Sequence, residues 1–167
     1  PLEGIFTDVY ILDKPLASRR YDLKNLQVSD EIIHGRENDR RDGMALINEP
    51  SSHHRFILGK PGAGKTTFLK YITLQAAKGT FHKTPIFVGL NEWSNATKDG
   101  SDTHLTLMEF IIQRFDNCNF PDAKKFIEFL LTKKEVILLF DGLDEVDIKN
   151  NHRVVSEISS FCEKYDK

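Results

Sequence analysis

The sequence has 167 residues, of which 40% are hydrophobic, and its 23 Lys and Arg residues nearly balance 25 Asp and Glu residues. This size predicts one globular domain with a substantial core, and a net charge of −2 argues against binding to nucleic acid or to an anionic membrane. No apolar run approaches the ~20 residues that cross a bilayer, and the separated Cys118 and Cys162 suit reduced thiols, so we expect a soluble, cytoplasmic protein.

Residues 1–52 form a mixed, mostly polar segment that precedes a more regular region. The loose alternation of apolar and polar residues in Gly4–Leu12 predicts a short strand outside the main sheet, and Glu37–Ile47 has a helical pattern. From residue 53 onward, apolar stretches of strand length alternate with amphipathic stretches of helix length. We therefore predict an N-terminal segment over residues 1–52 and a core domain over residues 53–167.

A glycine-rich stretch opens the regular region. Gly59–Thr66 matches the phosphate-binding pattern G-x-x-x-x-G-K-[ST], and it follows a predicted strand, Arg55–Leu58. A predicted helix comes next and ends near Lys78, with Gly79 suited to a left-handed C-terminal cap. Glycines let the backbone curl until its amides face a phosphate, with the positive end of the helix behind them. The predicted phosphate-binding residues are Gly59, Gly62, Ala63, Gly64, Lys65 and Thr66.

Two side chains of this loop have chemical roles that follow from its geometry. Lys65 is expected to reach the β- and γ-phosphates as a point charge, which makes it a candidate for binding and for catalysis. The hydroxyl of Thr66 is expected to hold Mg²⁺.

Alternating elements continue to the end of the chain. Pro85–Leu90 and Val136–Phe140 are continuous apolar runs of strand length, as found where helices cover both faces of a parallel sheet. Between and after them we predict a polar loop, Asn91–Asp102, and helices from the capping box Thr106–Glu109, over Asp122–Leu131 and over Arg153–Tyr165. This order predicts a three-layer α/β fold with a parallel sheet flanked by helices, incomplete at its C-terminal side.

A cluster of acidic residues follows the second apolar run directly. Asp141 comes at the end of that strand, where it can hold Mg²⁺ together with Thr66. Asp144 and Glu145 follow at a distance suited to orienting an attacking water, and the spacing does not show which of them does so. We expect the phosphate loop and these acids to meet at one edge of the sheet.

The sequence narrows the choice of nucleotide base and leaves several reactions possible. No Asn-Lys-x-Asp motif for reading guanine occurs, which favours adenine. The leading interpretation is binding and hydrolysis of ATP, and the alternatives are nucleotide binding without turnover, a small-molecule kinase and a pure protein-interaction module. A kinase needs an arginine-rich lid, and none follows Asp141.

Three stretches together carry a family resemblance: Gly59–Thr67, Pro85–Leu90 and the run Leu138–Val146, which reads Leu-Leu-Phe-Asp-Gly-Leu-Asp-Glu-Val. They resemble the NACHT family of signal-transducing P-loop NTPases, of the STAND class, in which a tiny residue follows the metal-binding Asp of the Walker B motif and an acidic pair comes just after. The resemblance covers about residues 55–167.

That resemblance implies an oligomerising switch controlled by ATP and ADP, with Mg²⁺ as the metal and self-association through the NTPase domain. It adds Thr67 to the phosphate-binding residues of the Walker A loop, and it assigns the metal to Asp141 and the water to Asp144 or Glu145. The family continues with a strand ending in a γ-phosphate-sensing Arg and with a lid. Since the sequence begins without Met and ends before that strand, we expect an excised fragment with weak turnover on its own.

Overall fold

The computed structural model describes residues 10–12, 40–48, 54–98 and 102–165 of the chain. The chain divides into two compact units, Pro1–Phe68 and Leu69–Lys167. The boundary predicted between residues 52 and 53 stays a prediction.

The first unit contains a small antiparallel ribbon. Strand β1, Tyr10–Leu12, pairs with β2, Arg40–Asp42, which confirms for these three residues the strand predicted within Gly4–Leu12. The helix predicted over Glu37–Ile47 is wrong at its start, because α1 covers Gly43–Asn48. The carboxylate of Asp42 accepts a hydrogen bond from the Ala45 amide at 2.7 Å, which is the contact that begins a helix after an Asp. Residues 4–9 and 37–39 lie outside the described residues.

The strand predicted over Arg55–Leu58 is also wrong. Residues 54–60 form no helix or strand, and Phe56 and Leu58 are 81% and 73% exposed. Within the described residues no strand pairs with this segment, so its amides and carbonyls have no ladder to join. The phosphate-binding pattern therefore follows an irregular segment that is anchored by Arg55, whose guanidinium donates to the Leu46 carbonyl.

Helix α2, Lys65–Ala77, follows the glycine-rich loop as predicted. Gly79 caps the C-terminal end of this helix: it has a φ of 90° and donates its amide to the Ala76 carbonyl at 2.9 Å. The amide of Thr80 reaches back to the Gln75 carbonyl at 3.1 Å, and the two bonds together form a Schellman cap. The predicted end near Lys78, with a left-handed glycine after it, is confirmed.

The second unit is built on a parallel pair of strands. Strand β3, Thr84–Gly89, and strand β4, Val136–Asp141, run side by side from the pair Thr84 and Val136 to the pair Gly89 and Asp141. This confirms both predicted strands and their parallel direction. The fold is thus α/β, with a two-stranded parallel sheet and helices in the part of the chain that the structure describes.

Helices fill the connection between the two strands. The chain turns from β3 directly into a short helix, α3, Leu90–Asn95, so the polar loop predicted from Asn91 is wrong in its first half. Helix α4, Leu107–Asp116, begins at the predicted capping box, and helix α5, Ala123–Lys133, matches the helix predicted over Asp122–Leu131 within two residues at each end. One apolar cluster holds these elements together, and its most buried members are Val88, Leu90, Trp93, Leu107, Ile111, Ile127 and Val154.

The last helix, α6, covers Ile148–Tyr165 and begins five residues before the predicted Arg153. The carboxylate of Asp147 accepts a hydrogen bond from the Lys149 amide at 3.0 Å, and its carbonyl accepts from the amides of Asn150 and Asn151. Asp147 therefore begins the helix earlier than the apolar periodicity alone indicates. Val154 and Phe161 belong to the apolar core cluster.

Thr106 and Glu109 form the predicted capping box at the start of α4. The Glu109 carboxylate accepts from the Thr106 amide at 2.9 Å and pairs with the Lys98 ammonium at 2.7 Å. The contact with Lys98, followed by the bonds from Thr106, lowers the pKa of Glu109 from 4.5 to about 2. Glu109 thus ties the loop after α3 to the start of α4.

We predict that Glu109→Gln lowers the stability of the protein at neutral pH by up to ~1 kcal/mol, because the pair is exposed and screened by solvent. Since the folded-state pKa of Glu109 is depressed to about 2 from 4.5, its stabilising effect is present above pH 4.5 and fades as the pH falls toward 2. Urea unfolding between pH 7 and pH 3 measures this. The free energies of unfolding of the variant and the wild type should converge in acid, and an equal difference at every pH would contradict the assignment. Glu135→Gln, at an exposed glutamate just before β4, is the control, and a similar effect of that change would also contradict it.

Candidate functional site

The glycine-rich loop contains a tight turn and two left-handed glycines. Gly62 and Gly64 have φ angles of 78° and 83°, in the left-handed region where a Cβ is strained. The Ala63 amide donates to the Lys60 carbonyl at 3.1 Å and closes a tight turn between them. Two of the predicted phosphate-binding glycines therefore occupy positions that require glycine.

Gly59 and Lys65 close the loop at its base. A Cβ on Gly59 would lie 3.3 Å from the Ala63 Cβ, so this position also favours the smallest residue. The Lys65 ammonium donates to the Gly59 carbonyl at 3.0 Å and contacts the Lys60 carbonyl at 3.4 Å. These bonds hold the positive charge of Lys65 over the loop.

Helix α2 begins within the motif, at Lys65. Its first turn carries Lys65, Thr66 and Thr67 and contains no acidic residue, so no side chain of that turn neutralises the positive end of the helix. Thr66 and Thr67 are exposed, and the Phe68 amide makes the first helical bond, to the Gly64 carbonyl at 2.9 Å. An exposed helix start with hydroxyls and a lysine is suited to an anion.

The acidic cluster occupies the end of β4 and the turn that follows. Asp141 is half-buried and lies opposite Gly89 in the last pair of the sheet. Leu143–Glu145 form a single 3₁₀ turn, which places the carboxylates of Asp144 and Glu145 on the surface. The carboxyl end of the strand and the acidic pair are thus adjacent, as the sequence predicts for a ligand site in an α/β sheet.

Gly142 separates Asp141 from the acidic pair and makes room for one of its members. It has a φ of 78°, and a Cβ at this position would lie 3.1 Å from Oε2 of Glu145 and 3.4 Å from its carboxyl carbon. The Glu145 carboxylate therefore folds back over the backbone next to Asp141. The spacing alone leaves Asp144 and Glu145 equivalent, whereas this contact distinguishes Glu145.

The predicted site residues lie in two sets. Gly59–Thr67 belong to the first compact unit, and Asp141, Asp144 and Glu145 belong to the second. The structure brings together the members of each set, and the prediction that both sets share one sheet edge stays a prediction. Within the described residues, no group of three or more His, Cys, Asp and Glu residues suited to holding a metal occurs, and no helix has the length and apolar character of a membrane span.

The curled loop, the lysine that begins α2 and an aspartate ending a parallel strand define the chain as a P-loop NTPase domain. A sequence model described as the NACHT domain matches residues 53–165, more than half of the chain. The chain belongs to the NACHT family. No curated protein and no solved structure gave a significant match.

We predict that Gly142→Ala destabilises the protein by ~1–2 kcal/mol, since alanine is strained in the left-handed region and its Cβ displaces Glu145. Gly89→Ala is the matched control, because Gly89 ends β3 opposite Asp141, the residue before Gly142. Gly89 has a φ of −75° and its added Cβ would meet nothing closer than 3.9 Å, so this change should leave stability unaltered or slightly raised. Denaturant unfolding of both variants tests the assignment, and equal losses would disprove it.

Proposed function

We propose that this chain is the ATP-binding and hydrolysing module of a NACHT-type switch. The observation that carries the proposal is the phosphate loop, where Gly62 and Gly64 adopt left-handed conformations directly before a helix that begins with Lys65. Left-handed glycines, the Lys65 ammonium bound at the base of the loop and the start of a helix together favour a polyphosphate over other anions.

ATP and ADP are the proposed nucleotides. The amides of Gly62, Ala63 and Gly64 would hold the phosphate oxygens, with Lys65 on the β- and γ-phosphates and Thr67 beside them. The hydroxyl of Thr66 and the carboxylate of Asp141 are hard oxygen ligands of the kind that Mg²⁺ takes. Bound Mg²⁺ would neutralise charge that develops on the phosphates.

We assign the attacking water to Glu145 rather than to Asp144. The Glu145 carboxylate lies over Gly142, next to the strand end that carries Asp141. A carboxylate in that place would accept the proton of a water approaching the γ-phosphate, and a glycine at residue 142 is what permits it. Asp144, one residue earlier on the same turn, would then stabilise the turn or accept hydrogen bonds from water bound to the metal.

The switch itself rests on family membership. In such a switch, the γ-phosphate of the nucleotide favours one of two conformations of the protein. We propose in addition that the protein self-associates through the NTPase domain and is cytoplasmic. Binding without significant hydrolysis remains the alternative, since nucleotide exchange alone is able to set a switch.

We predict that Lys65→Ala weakens ATP binding about 10- to 100-fold, which corresponds to the loss of charge-assisted contacts worth ~1.5–3 kcal/mol. Titration calorimetry with ATP, ADP and GTP measures both affinity and base preference, with circular dichroism to show that the variant folds. Lys60→Ala removes an exposed lysine of the same loop and should bind like the wild type. Unchanged affinity in Lys65→Ala, or preference for GTP, would refute the proposed site.

We predict that Glu145→Gln lowers ATP hydrolysis by ~10²–10⁴-fold, the range for a lost general base, while ATP affinity stays near that of the wild type. Asp144→Asn should have a clearly smaller effect, and Asp141→Asn should abolish the dependence of binding on Mg²⁺. Single-turnover hydrolysis of labelled ATP and binding with and without Mg²⁺ are the measurements. Wild-type turnover in both acidic-pair variants would favour binding without hydrolysis.

A further inference from the structure

One backbone carbonyl joins helix α3 to helix α6. The Ser94 carbonyl accepts hydrogen bonds from Nη2 of Arg153 at 2.7 Å and from Nδ2 of Asn150 at 3.4 Å. Ser94 is fully buried and Asn150 is 7% exposed, whereas the Arg153 side chain is 29% exposed, so the carbonyl lies inside while its charged partner reaches it from the partly exposed side. A hydrogen bond from a charged donor to a carbonyl is stronger than a hydrogen bond between two neutral groups.

Two further groups lie near the guanidinium of Arg153, whose Nε and Nη1 are buried and make no hydrogen bond within the described residues. Its guanidinium carbon lies 5.6 Å from the centre of the buried Trp93 ring, and Nη1 lies 3.8 Å from a carboxylate oxygen of Glu157. The other carboxylate oxygen of Glu157 accepts from the Leu107 amide at 2.5 Å, at the start of α4. Arg153 and Glu157, one helical turn apart on α6, therefore contact the end of α3 and the beginning of α4.

The acidic turn, Leu143–Glu145, comes directly before α6 in the chain. The helix begins at Ile148, shortly after Glu145, and between them lie Val146, which is buried, and Asp147, which caps the helix. Such a short, capped connection leaves little freedom between the turn and the helix. The place of Asp144 and Glu145 next to the end of β4 thus depends on where α6 is held.

We propose that Arg153 is a positioning residue for the acidic turn. By bonding the Ser94 carbonyl it fixes the first turns of α6 against α3, which leaves the sheet beside Asp141, and so keeps Glu145 in its place over Gly142. This inference rests on the proposed function, in which Glu145 orients the water. A role limited to packing would affect stability and not the acidic turn in particular.

The test compares Arg153→Met, which keeps an unbranched apolar stem and removes both the charge and the hydrogen bond, with Arg153→Lys, which can still donate to the Ser94 carbonyl. Arg114→Met is the matched control, since Arg114 also contacts α3, through Glu92, at an exposed position. We expect Arg153→Met to lower kcat about 10- to 100-fold with KM within about twofold, as displacement of a catalytic group predicts. Arg153→Lys should recover most of kcat, and Arg114→Met should match the wild type.

Two further measurements separate positioning from packing. In the double variant with Glu145→Gln, Arg153→Met should cause no additional loss of kcat, because it acts through the group already removed. The amides of Glu145 and Val146, which donate to the Gly142 and Leu143 carbonyls, should exchange hydrogen at least about fivefold faster in Arg153→Met than in Arg114→Met.

The outcomes distinguish this inference from the proposed function. If the wild type hydrolyses no ATP, the hydrolytic function fails, and the exchange measurement alone then decides the role of Arg153. Unchanged exchange at Glu145 and Val146, additive losses in the double variant, or equal changes in Arg153→Met and Arg114→Met would each overturn it.

Discussion

The parallel ladder between β3 and β4 is the constraint on which the second unit depends. It aligns Gly89 with Asp141, so the chain leaves both strands at the same end of the sheet. One exit continues into α3 and the other into the turn that carries Glu145. Because backbone hydrogen bonds fix this register, a shift of one residue would turn every side chain of a strand to the other face and separate the two exits. Asp141, at the end of β4, owes its place to this backbone pairing, whereas the turn that follows lies beyond the ladder.

Local sequence signals were sufficient for features that depend on neighbouring residues. The capping box of Thr106 and Glu109, the left-handed cap at Gly79 and the apolar runs of β3 and β4 were all predicted, because each is decided within a few residues. The curled phosphate loop belongs with them, since glycine at residues 62 and 64 permits conformations that other residues avoid.

Features that depend on distant partners were missed or mistaken. Residues 55–58 have the composition of a strand, yet a strand exists only where another strand pairs with it, and composition does not supply a partner. The contact of Arg153 with the Ser94 carbonyl links residues far apart in sequence, and no pattern in the sequence pointed to it. The only local hint was the pair of charges at Arg153 and Glu157, one turn apart on a largely apolar helix face.

Trp93 is the single tryptophan of the chain, and it lies beneath the Arg153 guanidinium with its indole N–H donating to the Leu105 carbonyl at 3.0 Å. Its emission therefore comes from one position, at the junction of α3 with α6. A cation above the ring and a single hydrogen bond are surroundings to which indole fluorescence responds. The protein thus contains an intrinsic optical probe at the junction of α3 with α6, which can report a change in that junction without an attached label.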